Sequence, residues 1–133
     1  MNISVPFRKS GLLVLVVLLL SLAGCNRTLP VLNINEHQVA ISADQDGEAV
    51  IKSAILAGGA AKGWRMTESE PGHIQADITV RQHMASVDIF YDDHSYSIAY
   101  KDSQNLMYDG NKIHRNYNKW ITLLDQQIAL NLP

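Results

Sequence analysis

The sequence predicts an α+β domain of two layers. A four-stranded antiparallel meander is flanked by an N-terminal and a C-terminal helix (α-β-β-β-β-α), both packed on one face of the sheet. Three observations carry this expectation. Apolar residues recur at helical spacing in two stretches, at 46–62 and 112–131. Between these stretches the period drops to two, the signature of half-buried strands. The runs of period two are joined by short connections, which pair successive strands antiparallel. Each strand has one apolar and one polar side, so one face of the sheet is covered and the other is wet. Two amphipathic helices supply the cover.

The first helix reads from Asp46 to Lys62, with Val50, Ile51, Ala54, Ile55 and Gly58 on one stripe. Ser42 or Asp44 is placed to cap it, and Ser42 with Gln45 matches a capping box. Gly58-Gly59-Ala60-Ala61 narrows its last two turns for packing on its own sheet, in preference to a close approach by a membrane or partner, and Gly63 ends it in a left-handed cap. Trp64 to Ser69 is the first strand, and Pro71-Gly72 has the φ preferences of a type II turn. Ile74, Ala76, Ile78 and Val80 then alternate with Gln75, Asp77, Thr79 and Arg81. Val87, Ile89 and Tyr91 alternate with Ser86, Asp88 and Phe90, and after Asp92-Asp93-His94 a fourth strand carries Tyr96, Ile98 and Tyr100 on one side. Lys101 to Asn111 reads as a loop. The closing helix, Lys112 to Asn131, puts Ile113, Tyr117, Trp120, Ile121, Leu124 and Ile128 on one stripe.

Ahead of this domain, residues 1–24 have the three parts of a secretory signal. Arg8 and Lys9 are basic, Gly11 to Leu20 is an unbroken apolar run, and Ser21 to Gly24 brings small residues. Extended to Cys25 the run is about 15 residues, short of the ~20 that a spanning helix needs. Leu22-Ala23-Gly24-Cys25 resembles the lipobox of bacterial lipoproteins. The resemblance implies cleavage between Gly24 and Cys25, diacylglycerol on the Cys25 sulfur and an acyl chain on the new amino group. It implies no other cofactor. Asn26, in place of Asp, implies sorting to the outer membrane, with the domain on its periplasmic face. Cys25 is the chain's single cysteine, which excludes an intrachain disulfide and a Cys-rich metal site. Ile113-His114-Arg115-Asn116-Tyr117-Asn118-Lys119-Trp120-Ile121, together with Gly63-Trp64, resembles small lipoproteins of Gram-negative bacteria that have no assigned activity. The chain therefore divides into a signal peptide (1–24), a lipidated N-terminus and tether (25–43) and the domain (44–133). Val31, Leu32, Ile34, Val39 and Ile41 give the tether a second reading, as an edge strand docked on the domain.

The chain carries 11 Lys and Arg against 13 Asp and Glu, and loss of the leader makes it more acidic still. No basic stripe marks a nucleic-acid surface. His83, Asp88, Asp92, Asp93 and His94 gather around the second hairpin, but with no zinc-binding spacing, and Asp92-Asp93-His94 is ordinary turn chemistry. There is no G-x-S-x-G elbow and no phosphate-binding glycine loop. His37 reads as an exposed loop residue, and His114 with Tyr117 as a helix-start histidine beside a core tyrosine. The candidate interaction surface is the polar sheet face, with Arg65, Thr67, Gln75, Asp77, Thr79, Arg81, Asp88 and Phe90. The function this favours is a non-enzymatic, lipid-anchored envelope protein that faces the periplasm and docks on another envelope protein. The alternatives are a small-ligand-binding or enzymatic domain with a helix–sheet cleft, and a surface-exposed adhesin or inhibitor.

Overall fold

A computed structural model describes residue 4 and residues 26–133 of the chain. Apart from residue 4, the segment expected to be a signal peptide and the lipobox-like residues Leu22-Ala23-Gly24-Cys25 lie outside the described residues. In order the elements are β1 (Thr28–Pro30), β2 (Ile34–Gln38), α1 (Gly47–Ala61), β3 (Arg65–Glu70), β4 (His73–Val80), β5 (His83–Tyr91), β6 (Ser95–Gln104), β7 (Lys112–His114) and α2 (Arg115–Leu130). The class is α+β, and the main sheet is antiparallel with five strands in the order β2-β6-β5-β4-β3. The four-strand expectation is corrected by β2, which pairs with β6 on the far side of the meander. Of the two readings of residues 26–43, the structure takes the docked one. β1 pairs with β7 in a small second sheet, and Val31, Leu32, Ile34, Val39 and Ile41 pack against the core.

The meander follows its alternation. Ile74, Ala76 and Ile78 of β4, Val87, Ile89 and Tyr91 of β5 and Tyr96 and Ile98 of β6 are buried on one face. Against them lie Ile51, Ala54 and Ile55 of α1 and Tyr117, Ile121, Leu124 and Ile128 of α2. Burying each of these large side chains stabilises the fold by about 1.5–3 kcal/mol. β2 and β3 occupy opposite edges of the sheet, so the connection that carries α1 crosses its whole width.

Local chemistry sets the helix ends. The N-cap of α1 is Asp46, whose carboxylate accepts from Ala49 N, and not Ser42 or Asp44 as expected. Ser42 instead closes a turn with its carbonyl on Gln45 N. At the other end Gly63 has φ +81°, its N–H bonds to Ala60 O, and Trp64 N–H bonds to Gly59 O. This is a Schellman motif, and only glycine enters it without strain. Gly58 lies against the backbone of α2: a methyl group there would sit 2.7 Å from Ile128 N. The expected sheet contact holds at Gly59, which faces the Met66 side chain of β3, and is corrected at Gly58, which meets the second helix instead. The closing helix starts later than expected. Lys112–His114 is held extended by β1, and the His114 ring caps α2 by accepting from Asn116 N. Among the described residues no helix is long and apolar enough to cross a membrane.

Candidate functional site

The open face of the sheet is built by the residues that alternate with the core. Register places Arg65 opposite Asp77, Thr67 opposite Gln75, Gln75 opposite Asp88, His73 opposite Phe90 and Thr79 opposite Met84. Seven of the eight candidate residues therefore share one face. Arg81 does not: it sits in the β4–β5 turn with φ +57°, past the end of β4 at Val80.

These side chains form a connected polar network. Asp77 accepts from Ser86 Oγ, from Gln75 Nε2 at 3.2 Å and from Arg65 Nη2 at 3.4 Å. Partial burial works to raise the Asp77 carboxyl, but the hydrogen bonds from Ser86, Gln75 and Arg65 outweigh it and hold the group below the usual carboxylate range. Gln75 Oε1 accepts from Lys101 Nζ at 2.8 Å, and Lys101 Nζ lies 3.6 Å from Asp88 Oδ1. Asp88 Oδ1 in turn lies 2.7 Å from His73 Nε2. The His73 ring stacks on Phe90, with centroids 4.6 Å apart and planes at 18°. Phe90 is 49% exposed, an apolar plate at the margin of a polar lattice.

Sequence reasoning missed His73, Ser86 and Lys101 as members of this face. His73 directly follows the Pro71-Gly72 turn and stands two residues before Gln75, so alternation already assigned it there. Lys101 was hidden by an irregularity: the β5–β6 register shifts between Ser86 and Val87, and β6 runs on to Gln104 where a loop was expected.

A second cluster lies on the helix side of the sheet. His37 is not an exposed loop residue. It sits in β2, part-buried, stacked on Tyr96 at 4.7 Å and 16°. Tyr96 Oη donates to Asp125 Oδ1 at 2.6 Å, and His37 Nδ1 meets the same oxygen at 2.9 Å. An ionised carboxylate can only accept, so in that state His37 carries its proton on Nδ1. Burial first, then the bond to Asp125, pushes the Tyr96 hydroxyl well above its ordinary value. The cluster clamps the N-terminal edge strand to the C-terminal helix.

The other candidates disperse. His83 Nδ1 contacts Asn105 O at 2.7 Å, and Asp88 belongs to the sheet face. Asp92, Asp93 and His94 keep together, with ligand atoms within 4.8 Å of one another, all exposed. Asp92 Oδ1 is occupied by His94 N, Ser95 N and Ser95 Oγ, the bonds of a polar turn. The helix–sheet cleft is an open recess of about 540 Å³ lined by Asp46, Glu48, Lys52, Glu68, Glu70 and Tyr91 among others. Neither His94 nor His114 lines it. Tyr117 lies in the core with its hydroxyl unpartnered, and His114 is occupied as the cap of α2. Comparison with protein-family models, curated proteins and solved structures finds no match to this chain.

Proposed function

We propose that the chain is a lipid-anchored protein of the bacterial envelope, attached through Cys25 on the periplasmic side of the outer membrane, and that its open sheet face docks on another envelope protein. The observation that carries the anchor is the order of the leader: Arg8-Lys9, the apolar run Gly11 to Leu20, then Leu22-Ala23-Gly24-Cys25 with no second cysteine in the chain. Acyl chains on Cys25 supply about 0.8 kcal/mol per buried methylene, and two or more chains hold a protein stably. Support for the docking face comes from its make-up. Polar side chains there are ordered by one another before any partner arrives, and Phe90 adds an exposed aromatic of the kind that anchors protein interfaces.

The anchor is tested by fractionating cells that produce the full chain. Cys25→Ala is expected to leave the protein uncleaved or to release it from the membrane fraction with its fold intact; unchanged processing and attachment would overturn the reading. The docking face is tested with a photocrosslinker at Phe90 and another at Thr122, on the exposed side of α2, in intact cells. A discrete adduct from position 90 alone is the expected result. Adducts from neither position, across several growth states, would remove the sheet face as a docking site.

A further inference from the structure

One end of the sheet concentrates features that the docking face does not use. At this end lie the β4–β5 turn, the loop that follows β6, the ribbon of β1 and β7, and the point where the chain enters the fold. Hydrogen bonds lace them together. His83 Nδ1 meets Asn105 O at 2.7 Å, and Asn105 Nδ2 donates to Gln82 O, joining the turn to the loop. His114 N donates to Leu106 O, joining the loop to β7, and Arg115 N donates to Arg27 O at 2.9 Å, joining the start of α2 to the entering chain.

Two kinds of side chain gather there. Leu29 (40% exposed), Val80 (39%), Met107 (59%) and Tyr108 (42%) are four of the six large apolar side chains that stand exposed among the described residues. Arg27, Arg81, Lys112 and Arg115 are all exposed beside them. The acids at this end are Asp102 and Asp109, so the cations are in excess; Asp109 is engaged by the backbone N–H groups of Asn111 and Lys112. The opposite end is acidic. Glu70, Asp92 and Asp93 stand at its turns, Asp46 and Glu48 at the start of α1, and Lys52 is held by Glu68 at 2.9 Å.

The entry point fixes what meets the basic end. Arg27 is bonded into the fold, and Cys25 is only two residues before it, a reach of about 7 Å even fully extended. We propose that this end of the domain is a membrane-contact surface. Leu29, Val80, Met107 and Tyr108 lie at the boundary of headgroups and acyl chains, and Arg27, Arg81, Lys112 and Arg115 lie among anionic phospholipid headgroups. The proposal rests on the acylation of Cys25 argued above. Exposed apolar side chains with basic neighbours are what such a boundary accepts. A lipidated cysteine two residues from a fixed backbone bond leaves the domain too little chain to stand off from the bilayer. The consequence is a defined orientation, with the basic end down and the acidic end, at the Asp92-Asp93-His94 turn, pointing away from the lipid.

The full chain, produced and processed in a Gram-negative host, is reconstituted in vesicles of phosphatidylethanolamine and phosphatidylglycerol. It carries an environment-sensitive fluorophore on Met107→Cys or, as the distal control, on Asp93→Cys. Intact mass reports separately whether Cys25 is acylated, and circular dichroism that each variant is folded. The label at 107 is expected to shift to the blue and brighten several-fold, and the label at 93 to stay water-like. Arg27→Glu with Arg115→Glu should remove most of the shift at 107 while the protein remains bound through its lipid. An acylated chain whose label at 107 stays water-like overturns the contact surface and leaves the anchor standing. A blue-shifted label on an unacylated chain does the reverse, and a water-like label on an unacylated chain overturns both.

Discussion

His37–Asp125 and His73–Asp88 are the same device used on opposite faces of one sheet. In each, a ring nitrogen lies within 2.9 Å of a carboxylate oxygen, and in each the imidazole stacks on an aromatic ring less than 5 Å away. The surroundings differ. His37 and Asp125 are 88 residues apart in sequence and share their oxygen with the buried Tyr96 hydroxyl, between an edge strand and a helix. His73 and Asp88 are 15 residues apart on neighbouring strands, with Lys101 on one side and the exposed Phe90 on the other. The first pair closes the fold over its N-terminal strand. The second orders a surface. Pair geometry alone does not separate the two roles; what else touches the carboxylate does.

Removing each carboxylate is the strongest way to break this contrast. Asp125→Ala takes from Tyr96 Oη and His37 Nδ1 the carboxylate they share and unties β2 from α2, leaving Tyr96 Oη only His37 Nδ1 and the residue-125 carbonyl. It should therefore lower stability by about 2–3 kcal/mol, in the range for losing charged hydrogen bonds near the core. Asp88→Ala removes a partly solvated pair and should cost under about 1 kcal/mol. Urea unfolding of the two variants decides it. Equal losses would mean that the sheet face is part of the fold's support, and its reading as an available surface would fall.

Tyr96→Phe sharpens the same comparison from the aromatic side. It deletes the hydroxyl but leaves Asp125 bonded to His37, so a loss of about 1 kcal/mol is expected at neutral pH. Because folding raises the Tyr96 hydroxyl above its ordinary value near 10, its stabilisation is complete below that pH and is lost as pH rises beyond it. The variant should therefore lose less stability on the alkaline limb than the parent. Tyr100 and Tyr117 are raised too, chiefly by burial, so part of the limb remains. Tyr117→Phe should run the other way. Its hydroxyl is buried with no partner, and deleting it should be neutral or stabilising by up to about 1 kcal/mol in thermal unfolding.

What the sequence shows and hides divides along these same lines. The meander was legible because Ile74 to Tyr100 alternates with a period of two and every turn carries its own chemistry. The helices were legible from their stripes, though their ends moved: Asp46 captured the cap from Asp44, and β1 drew Lys112–His114 out of the last helix. Long-range pairing was not legible. Nothing local to Ile34–Gln38 says that it joins β6, because its hydrophobic pattern is short and broken where the register shifts between Ile34 and His37. His37 looked solitary for the same reason, with its partners Tyr96 and Asp125 far along the chain. On the open face, alternation found Gln75, Asp77, Asp88 and Phe90, and the β5–β6 register shift concealed Lys101. The basic, apolar end of the domain is assembled from four separate segments, so it has no sequence signature.

The smallest effect tests the open face most directly. Asp77 is the centre of the network's hydrogen bonds, from Ser86, Gln75 and Arg65, and these hold its carboxyl below the ordinary value near 3.8 despite partial burial. A carboxyl depressed on folding binds fewer protons in the native state than in the unfolded one. Its stabilisation is full above the ordinary value and is lost as pH falls through the lower, folded value. Asp77→Asn removes that linkage. At neutral pH it should cost well under about 1 kcal/mol, because the Arg65 partner is largely exposed and water screens the pair. The two unfolding curves should then converge as pH drops below 4, where the parent loses what the variant never had. Asp92 and Asp109, depressed by backbone N–H bonds in their turns, are present in both proteins and set the shared remainder of the acid limb. A gap between parent and variant that stayed constant from pH 7 to pH 2 would show that Asp77 contributes by packing and not as an ordered charge. The polar lattice would then lose the preorganisation on which its proposed role as a docking face depends.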